Sequence, residues 1–168
     1  MNGTDFNAGG CGHDAPALPL EDARDRILDQ VVPVSGRHHE ALQRALGRVL
    51  AEPVRARIDV PNHTNSAMDG YAVRAADLVE PGAELTEIGE SFAGHPFDGR
   101  VDAGQCVRIM TGAVLPEGAD SVVMQERTER DGDRIRFAQD CRSGANVRRA
   151  GEDVENGQTI FEAGHRIR

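Results

Sequence analysis

Three polar stretches of this chain carry side chains with the means to do chemistry. The first is Asn65-Ser66-Ala67-Met68-Asp69-Gly70. The second is Arg108-Ile109-Met110-Thr111-Gly112-Ala113, followed by Pro116-Glu117-Gly118-Ala119-Asp120. The third is Ser143-Gly144-Ala145-Asn146-Val147-Arg148-Arg149-Ala150-Gly151-Glu152-Asp153. Each sets an oxygen-bearing side chain, Asp69, Thr111 or Asp153, close to glycine at the end of an apolar run. Carboxylates and hydroxyls placed this way can hold Mg²⁺ or orient an oxyanion through bridging water. Arg142, Arg148 and Arg149 cluster in the third stretch, and guanidinium groups pair well with phosphate. Polar loops at the mouths of strands are also where ligands are most often met.

Each stretch has a plainer reading. Asp69 before Gly70 can close an Asx turn, and Thr111-Gly112 can be an ordinary strand-end turn. Glu152 and Asp153 beside Arg148 and Arg149 can be surface ion pairs, each worth under about 1 kcal/mol. None of the three matches a phosphate-gripping G-x-x-x-x-G-K-[ST] loop or a dinucleotide fingerprint. No Ser-His-Asp, Cys-His or H-E-x-x-H arrangement is legible either.

The net charge of −9 repels a phosphodiester backbone and is incompatible with a polybasic membrane anchor, so neither nucleic acid nor a membrane is expected as a partner. No apolar run approaches the roughly 18 residues of a membrane span, and no basic region leads into an apolar one at the N-terminus, as a secretory signal requires. Cys11, Cys106 and Cys141 are an odd, scattered set with no C-x-x-C pair. They fit neither a disulfide framework nor a zinc site, and a cytoplasmic location is expected. His38 and His39 are adjacent and so point apart on a helix or a strand. They are read as surface residues, as Cys11-Gly12-His13 is read as part of a floppy tail.

The elements that must position the three loops follow from periodicity. Residues 1–17 are rich in Gly, Asn and Ala and are expected to be disordered. Leu20, Ala23, Ile27, Leu28 and Val31 recur at helical spacing after Pro19, with Glu21 and Asp22 in the first turn, where they complement the helix dipole. Leu42, Ala45, Leu46, Val49 and Leu50 repeat the pattern and predict a second helix, stopped by Pro53. From Val54 the period becomes two, and Val54, Ala56 and Ile58 predict a half-buried strand. Tyr71, Val73 and Ala75 alternate after the first loop. Short apolar runs then recur at 85–88, 106–110, 121–124 and 134–137, with Asp131-Gly132 as a hairpin turn before the last of them. Nineteen glycines and eight prolines exceed the roughly 12% of an average chain and favour many tight turns. The fold class expected is mainly β with two N-terminal helices (α+β), the strands forming a barrel-like or sandwich unit.

In order and spacing, Asp59-Val60-Pro61, Asn65-Ser66-Ala67-Met68-Asp69-Gly70-Tyr71-Ala72-Val73, Arg108-Ile109-Met110-Thr111-Gly112-Ala113, Pro116-Glu117-Gly118-Ala119-Asp120-Ser121-Val122-Val123-Met124-Gln125-Glu126 and Asn146-Val147-Arg148-Arg149-Ala150-Gly151-Glu152-Asp153 resemble the MoeA family. These are molybdopterin molybdenumtransferases, related to the gephyrin E domain. The segment Ala45-Leu46-Gly47-Arg48-Val49-Leu50-Ala51-Glu52 fits as well, and the resemblance runs from about residue 18 to the end. It implies an enzyme of molybdenum cofactor synthesis that inserts molybdenum from molybdate into adenylylated molybdopterin and releases AMP, with Mg²⁺ assisting. It implies Asp69, Thr111 and Asp153 as catalytic positions, Asp69 and Asp153 as metal-binding positions, and Ser66 and Arg148 as weaker substrate-binding ones. It implies a homodimer, with molybdopterin adenylyltransferase and molybdenum-enzyme chaperones as partners. Only the N-terminal and linker portion of the family is matched. The Thr-Gly-Asp-Glu and Ser-Gly-Gly-Val-Ser loops of a pterin-binding domain are absent, so the chain alone is expected to be incomplete. The alternative is a non-catalytic dimerisation or interaction module. The family's complex, bifurcated β fold would divide into 18–58 with 141–168 as a discontinuous subdomain and 59–140 as an inserted all-β, barrel-like unit.

Overall fold

A computed structural model describes residues 18–168 of the chain. The tail expected to be disordered, 1–17, lies outside the described residues. The chain divides into two units, Met1–Arg44 and Ala45–Arg168.

In the first unit, α1 spans Leu20–Asp29. Pro19 precedes it, and the Ala23 amide donates to the Pro19 carbonyl at 2.9 Å, closing the first turn. Glu21 and Asp22 occupy that turn and Arg26 the last, the arrangement that the helix dipole favours. None of its residues is buried. The second predicted helix does not form. A 3₁₀ turn at Leu42–Arg44 is all that remains of it. Gly47 takes φ +78°, which no helix interior allows. The backbone beyond it bonds to the far end of the chain instead, with Gly47 N–H donating to Ile167 O and Leu50 N–H to His165 O, both at 2.9 Å. Leu42, Leu46 and Val49 are largely exposed and Ala45 is the one buried member of the stripe, so the periodic face buries too little to repay helix formation.

The second unit is all β. Its strands are β1 (Val54–Arg55), β2 (Asn65–Ser66), β3 (Gly70–Val73), β4 (Glu84–Ser91), β5 (Gln105–Ile109), β6 (Ser121–Met124), β7 (Thr128–Asp131), β8 (Arg134–Phe137), β9 (Val147–Arg148) and β10 (Thr159–Phe161). Six of them make one sheet in the order β6-β3-β5-β4-β8-β7, curled into a half-barrel. Only the β4–β5 pairing is parallel. The β7–β8 hairpin turns through Gly132 at φ +64°, as the Asp131-Gly132 pair predicts.

The centre of this sheet is covered on both faces. Tyr71, Val73, Leu85, Cys106, Val123, Ile135 and Phe137 pack on one side, with Tyr71 and Phe137 edge to face at 6.1 Å. Ala72, Val107, Ile109 and Val122 pack on the other, against Val101 and Ala113. Successive residues of β3, β5 and β6 therefore alternate between two cores, and β3 is buried along its whole length. Gly70 opens β3 because a Cβ there would lie 1.9 Å from the Val123 carbonyl oxygen.

A second feature is a long antiparallel ribbon. Val49 pairs with Arg166, Val54 with Phe161, Arg55 with Thr159, Val60 with Val154, and Asn65 and Ser66 with Arg148 and Val147, on one slowly drifting register. The half-buried strand predicted at Val54–Ile58 is corrected here. Only Val54–Arg55 is strand and both residues are exposed, because this length of ribbon is two strands wide and carries no core.

Candidate functional site

The ribbon delivers the first and third polar loops to the same place, and the half-barrel delivers the second. Ser66 N–H donates to Ala113 O at 3.0 Å, and Gly112 N–H donates back to Ser66 O at 2.8 Å. On the other side of β2, Ala67 N–H reaches Asn146 O at 2.9 Å, beyond the pairing of Ser66 with Val147 in β9. β2 is thus clamped between the Thr111-Gly112 turn and β9. Thr64 adds to the joint. Its carbonyl accepts from Leu115 N–H at 3.0 Å and its hydroxyl from Ala150 N–H at 3.3 Å.

Asp69 and Thr111 meet directly. Asp69 Oδ1 accepts from both the amide and the hydroxyl of Thr111, each at 2.7 Å. These two bonds, the hydroxyl's first and then the amide's, hold the Asp69 carboxyl below the usual carboxylate range, and the charge of Arg108 adds to them. The plainer reading, in which Asp69 merely closes a local turn, does not describe this contact, since Thr111 comes from another element. Asp69 Oδ2 meets no protein donor among the described residues.

Arg148 and Asp153 form the second pair, Nη2 to Oδ1 at 2.5 Å, with Glu152 at 3.5 Å from Nε. The bond to Asp153 raises the Arg148 pKa above its ordinary value. Arg148 is half-buried and Asp153 exposed. Gly151, at φ +75°, bends the loop so that its amide reaches Pro61 O at 2.9 Å. Ser66 is buried, and its hydroxyl is consumed locally, donating to Met68 O at 2.5 Å and accepting from Met68 N–H at 3.2 Å. Ser66 shapes the loop and presents no free hydroxyl.

Among the described residues no group of three His, Cys, Asp or Glu side chains is disposed to hold a metal ion. A single open carboxylate oxygen, on Asp69, suits a hard cation shared with a substrate rather than one caged by protein. Mg²⁺ commonly takes one or two carboxylates and fills its remaining positions with water and phosphate. Asp69 offers a free oxygen for such a role, whereas Asp153 would have to loosen its pair with Arg148.

Residues 18–168 match the family described as MoeA N-terminal region (domain I and II). The chain belongs to the MoeA family. It is 42% identical over 151 residues to a molybdopterin molybdenumtransferase of Haemophilus influenzae, covering 89% of this chain and 37% of that protein. It is 36% identical over 158 residues to one of Nostoc sp., covering 88% and 36%. Against gephyrin of Dictyostelium discoideum the identity is 30% over 166 residues, covering 89% and 23%. The crystal structure of a molybdopterin biosynthesis MoeA protein from Pyrococcus horikoshii OT3 superposes with a TM-score of 0.83 at 34% identity, covering 91% of this chain and 41% of that one. The chain therefore spans well under half the length of these relatives.

Within this MoeA region, three residues that sequence reasoning passed over complete the joint. Gln125 N–H donates to Asp69 O at 3.1 Å. Arg108 lies beneath the same turn and bonds to Gly70 O and to the Gln125 side chain. Asn146, at φ +54°, sends its side-chain amide to Val122 O at 2.9 Å. A left-handed asparagine has a signal in its residue type. The bonds of Arg108 and Gln125 have none, because they depend on which strands become neighbours.

Proposed function

We propose that this chain is the N-terminal part of a molybdopterin molybdenumtransferase, which inserts molybdenum from molybdate into adenylylated molybdopterin and releases AMP. The observation that carries the reading is the Asp69–Thr111 contact between the first and second polar loops, with the third loop paired to the first through β2 and β9, in a chain that belongs to the MoeA family. An ionised carboxylate held by two donors, with one oxygen still open, can orient a water or a bound cation without rearranging. Arg148, braced by Asp153, presents a guanidinium that can pair with an oxyanion or phosphate. Asp69 would hold Mg²⁺, joined by Asp153 when that carboxylate releases Arg148, and the ion would supply charge neutralisation at phosphate oxygens. Ser66 sets the loop that carries Asp69.

Pterin binding itself belongs, on this reading, to further domains, and this chain supplies one wall of the site in the cytoplasm. Molybdopterin adenylyltransferase would supply the substrate and molybdenum-enzyme chaperones would receive the product. The test is molybdenum insertion with this chain alone and then mixed with a separately made pterin-binding half. Activity in the mixture, lost on Asp69→Ala, is the expected result. Full activity of the Asp69→Ala variant would refute the assignment.

The second reading is an interaction module. It draws on the exposed apolar residues of the ribbon, Val49, Val54, Ile58 and Phe161, which fit a homodimer contact. Sedimentation at high concentration tests it, and a strict monomer would count against it.

A further inference from the structure

Arg108 of the half-barrel lies under the Asp69 turn, bonded to Gly70 O and to the Gln125 side chain. It is half-buried on β5, opposite Tyr71 of β3. Its guanidinium carbon lies 5.1 Å from the centre of the Tyr71 ring, so the planar group stacks on an aromatic face that fixes its orientation. From there it makes two bonds in different directions. Nη1 donates to Gly70 O at 3.4 Å, and Nη2 donates to Gln125 Oε1. Gln125 closes the circuit, since its own amide donates to Asp69 O at 3.1 Å. The carbonyls of Asp69 and Gly70 are thereby both held by one bridge, while the Asp69 side chain is held by Thr111.

We propose that Arg108, through its two-armed bridge to Gly70 O and Gln125, is the positioning residue that fixes the Asp69 turn so that the Asp69 carboxylate meets Thr111. This rests on the reading of Asp69 and Thr111 given above for its catalytic meaning, but its structural content stands on the bonds themselves. The guanidinium is needed for its shape as well as its charge. A fork can reach two acceptors at once from a stacked position, and an ammonium cannot. The charge is also close enough to Asp69 to favour its ionised form. Arg108 makes no hydrogen bond to the Asp69 or Thr111 side chain, so beyond that charge its positioning effect travels through the backbone of the turn.

The Thr111 amide reports the contact directly, because an N–H bonded to a carboxylate resonates downfield and exchanges slowly. In this chain, Arg108→Met is expected to move the Thr111 amide proton upfield and speed its exchange by about tenfold or more. The amides of Cys106 and Val107, in the sheet centre, should keep their protection, which separates a local loosening from unfolding. Gln125→Leu, which keeps the fold's apolar contacts and removes one arm of the bridge, should move the same signal in the same direction. It serves as the test if Arg108→Met does not fold. Arg108→Lys should leave the Thr111 signal displaced. An unchanged Thr111 amide in both Arg108→Met and Gln125→Leu, or full recovery in Arg108→Lys, would overturn the bridge.

The insertion assay with the pterin-binding half then separates position from function. Arg108→Met is expected to lower kcat about tenfold or more with KM altered less than about twofold. A displaced Thr111 signal with insertion untouched in both Arg108→Met and Asp69→Asn would keep the bridge and remove the functional reading. Insertion lost in Asp69→Asn but intact in Arg108→Met, with Thr111 unmoved, would do the reverse.

Discussion

At the scale of single residues, the candidate site is a matter of which donors reach Asp69. Its pKa is lowered in the folded chain, chiefly by the Thr111 hydroxyl. A carboxyl with a depressed folded value contributes stability that is fully present above its unfolded pKa and is lost as pH falls through the folded one. Thr111→Val deletes the largest cause and keeps the amide bond. The Asp69 titration should then move up toward the usual carboxylate range, and the acid limit of the contact should rise with it. A carboxyl-carbon titration by NMR measures this, and an unmoved midpoint would contradict it. In the assembled enzyme the same variant should lose activity on the order of 10²-fold, the scale of losing one preorganised donor. A different environment governs Cys106. Burial, followed by the nearby Glu87 carboxylate, pushes its thiol up to about 12, so hardly any thiolate exists at neutral pH. Thiol reagents at pH 8 should spare Cys106 in the native chain and reach it only with denaturant. Rapid native labelling of Cys106 would show that the core opens.

At the scale of elements, the joint depends on how closely β3 and β6 approach. Gly70 has no room for a side chain, since a Cβ would meet the Val123 carbonyl oxygen at 1.9 Å and the Met124 Cα at 3.0 Å. Both obstacles are backbone, so the strands themselves must part. Gly70→Ala should cost about 1–3 kcal/mol, as overpacking does, read as a lower urea midpoint. It should also pull Gln125 away from Asp69, loosening the Thr111 contact in the same variant. A midpoint within experimental error of the parent would mean that the strands yield freely. Elements of this kind were legible in part. The runs at 121–124 and 134–137 became strands with those bounds, the first because successive apolar residues are buried on both faces of the sheet, the second because Ile135 and Phe137 alternate with exposed arginines and bury one face. The second helix was illegible for the opposite reason. Its stripe of Leu42, Leu46 and Val49 has the right period, but the decisive partner, His165–Ile167, lies over a hundred residues away, and a local pattern cannot register it. Asp69, Thr111, Arg148 and Asp153 could be picked out by residue type near glycine. That Asp69 bonds Thr111 while Asp153 bonds Arg148 depends on sheet order, which spacing does not carry.

At the scale of the whole chain, the all-β unit spends its apolar residues unevenly. The two cores draw on residues 71–137, with Cys141 and Val147 packed against their margins, and no residue after 151 is buried. Ile160 and Phe161 of β10 remain 39% and 44% exposed. Hydrophobic stabilisation follows the area removed from water, so most of the unit's folding free energy resides in the half-barrel. The ribbon beyond Val60 and Val154 contributes backbone bonds and little burial. The third loop differs from this distal ribbon, because Ala145, Asn146 and Val147 bond to Val122 and pair with β2, tying it to the half-barrel edge. A chain ended after Val154 should therefore keep a cooperative sheet, with its urea midpoint lowered by no more than the equivalent of about 1–2 kcal/mol and the Thr111 amide still shifted. A chain ended after Asp140 removes β9 and the cap on β6, exposing a sheet edge. It should lose the Thr111 signature altogether. If the chain ended after Val154 instead unfolds without cooperativity, the ribbon is part of the folding unit, and the half-barrel cannot hold the three loops together by itself.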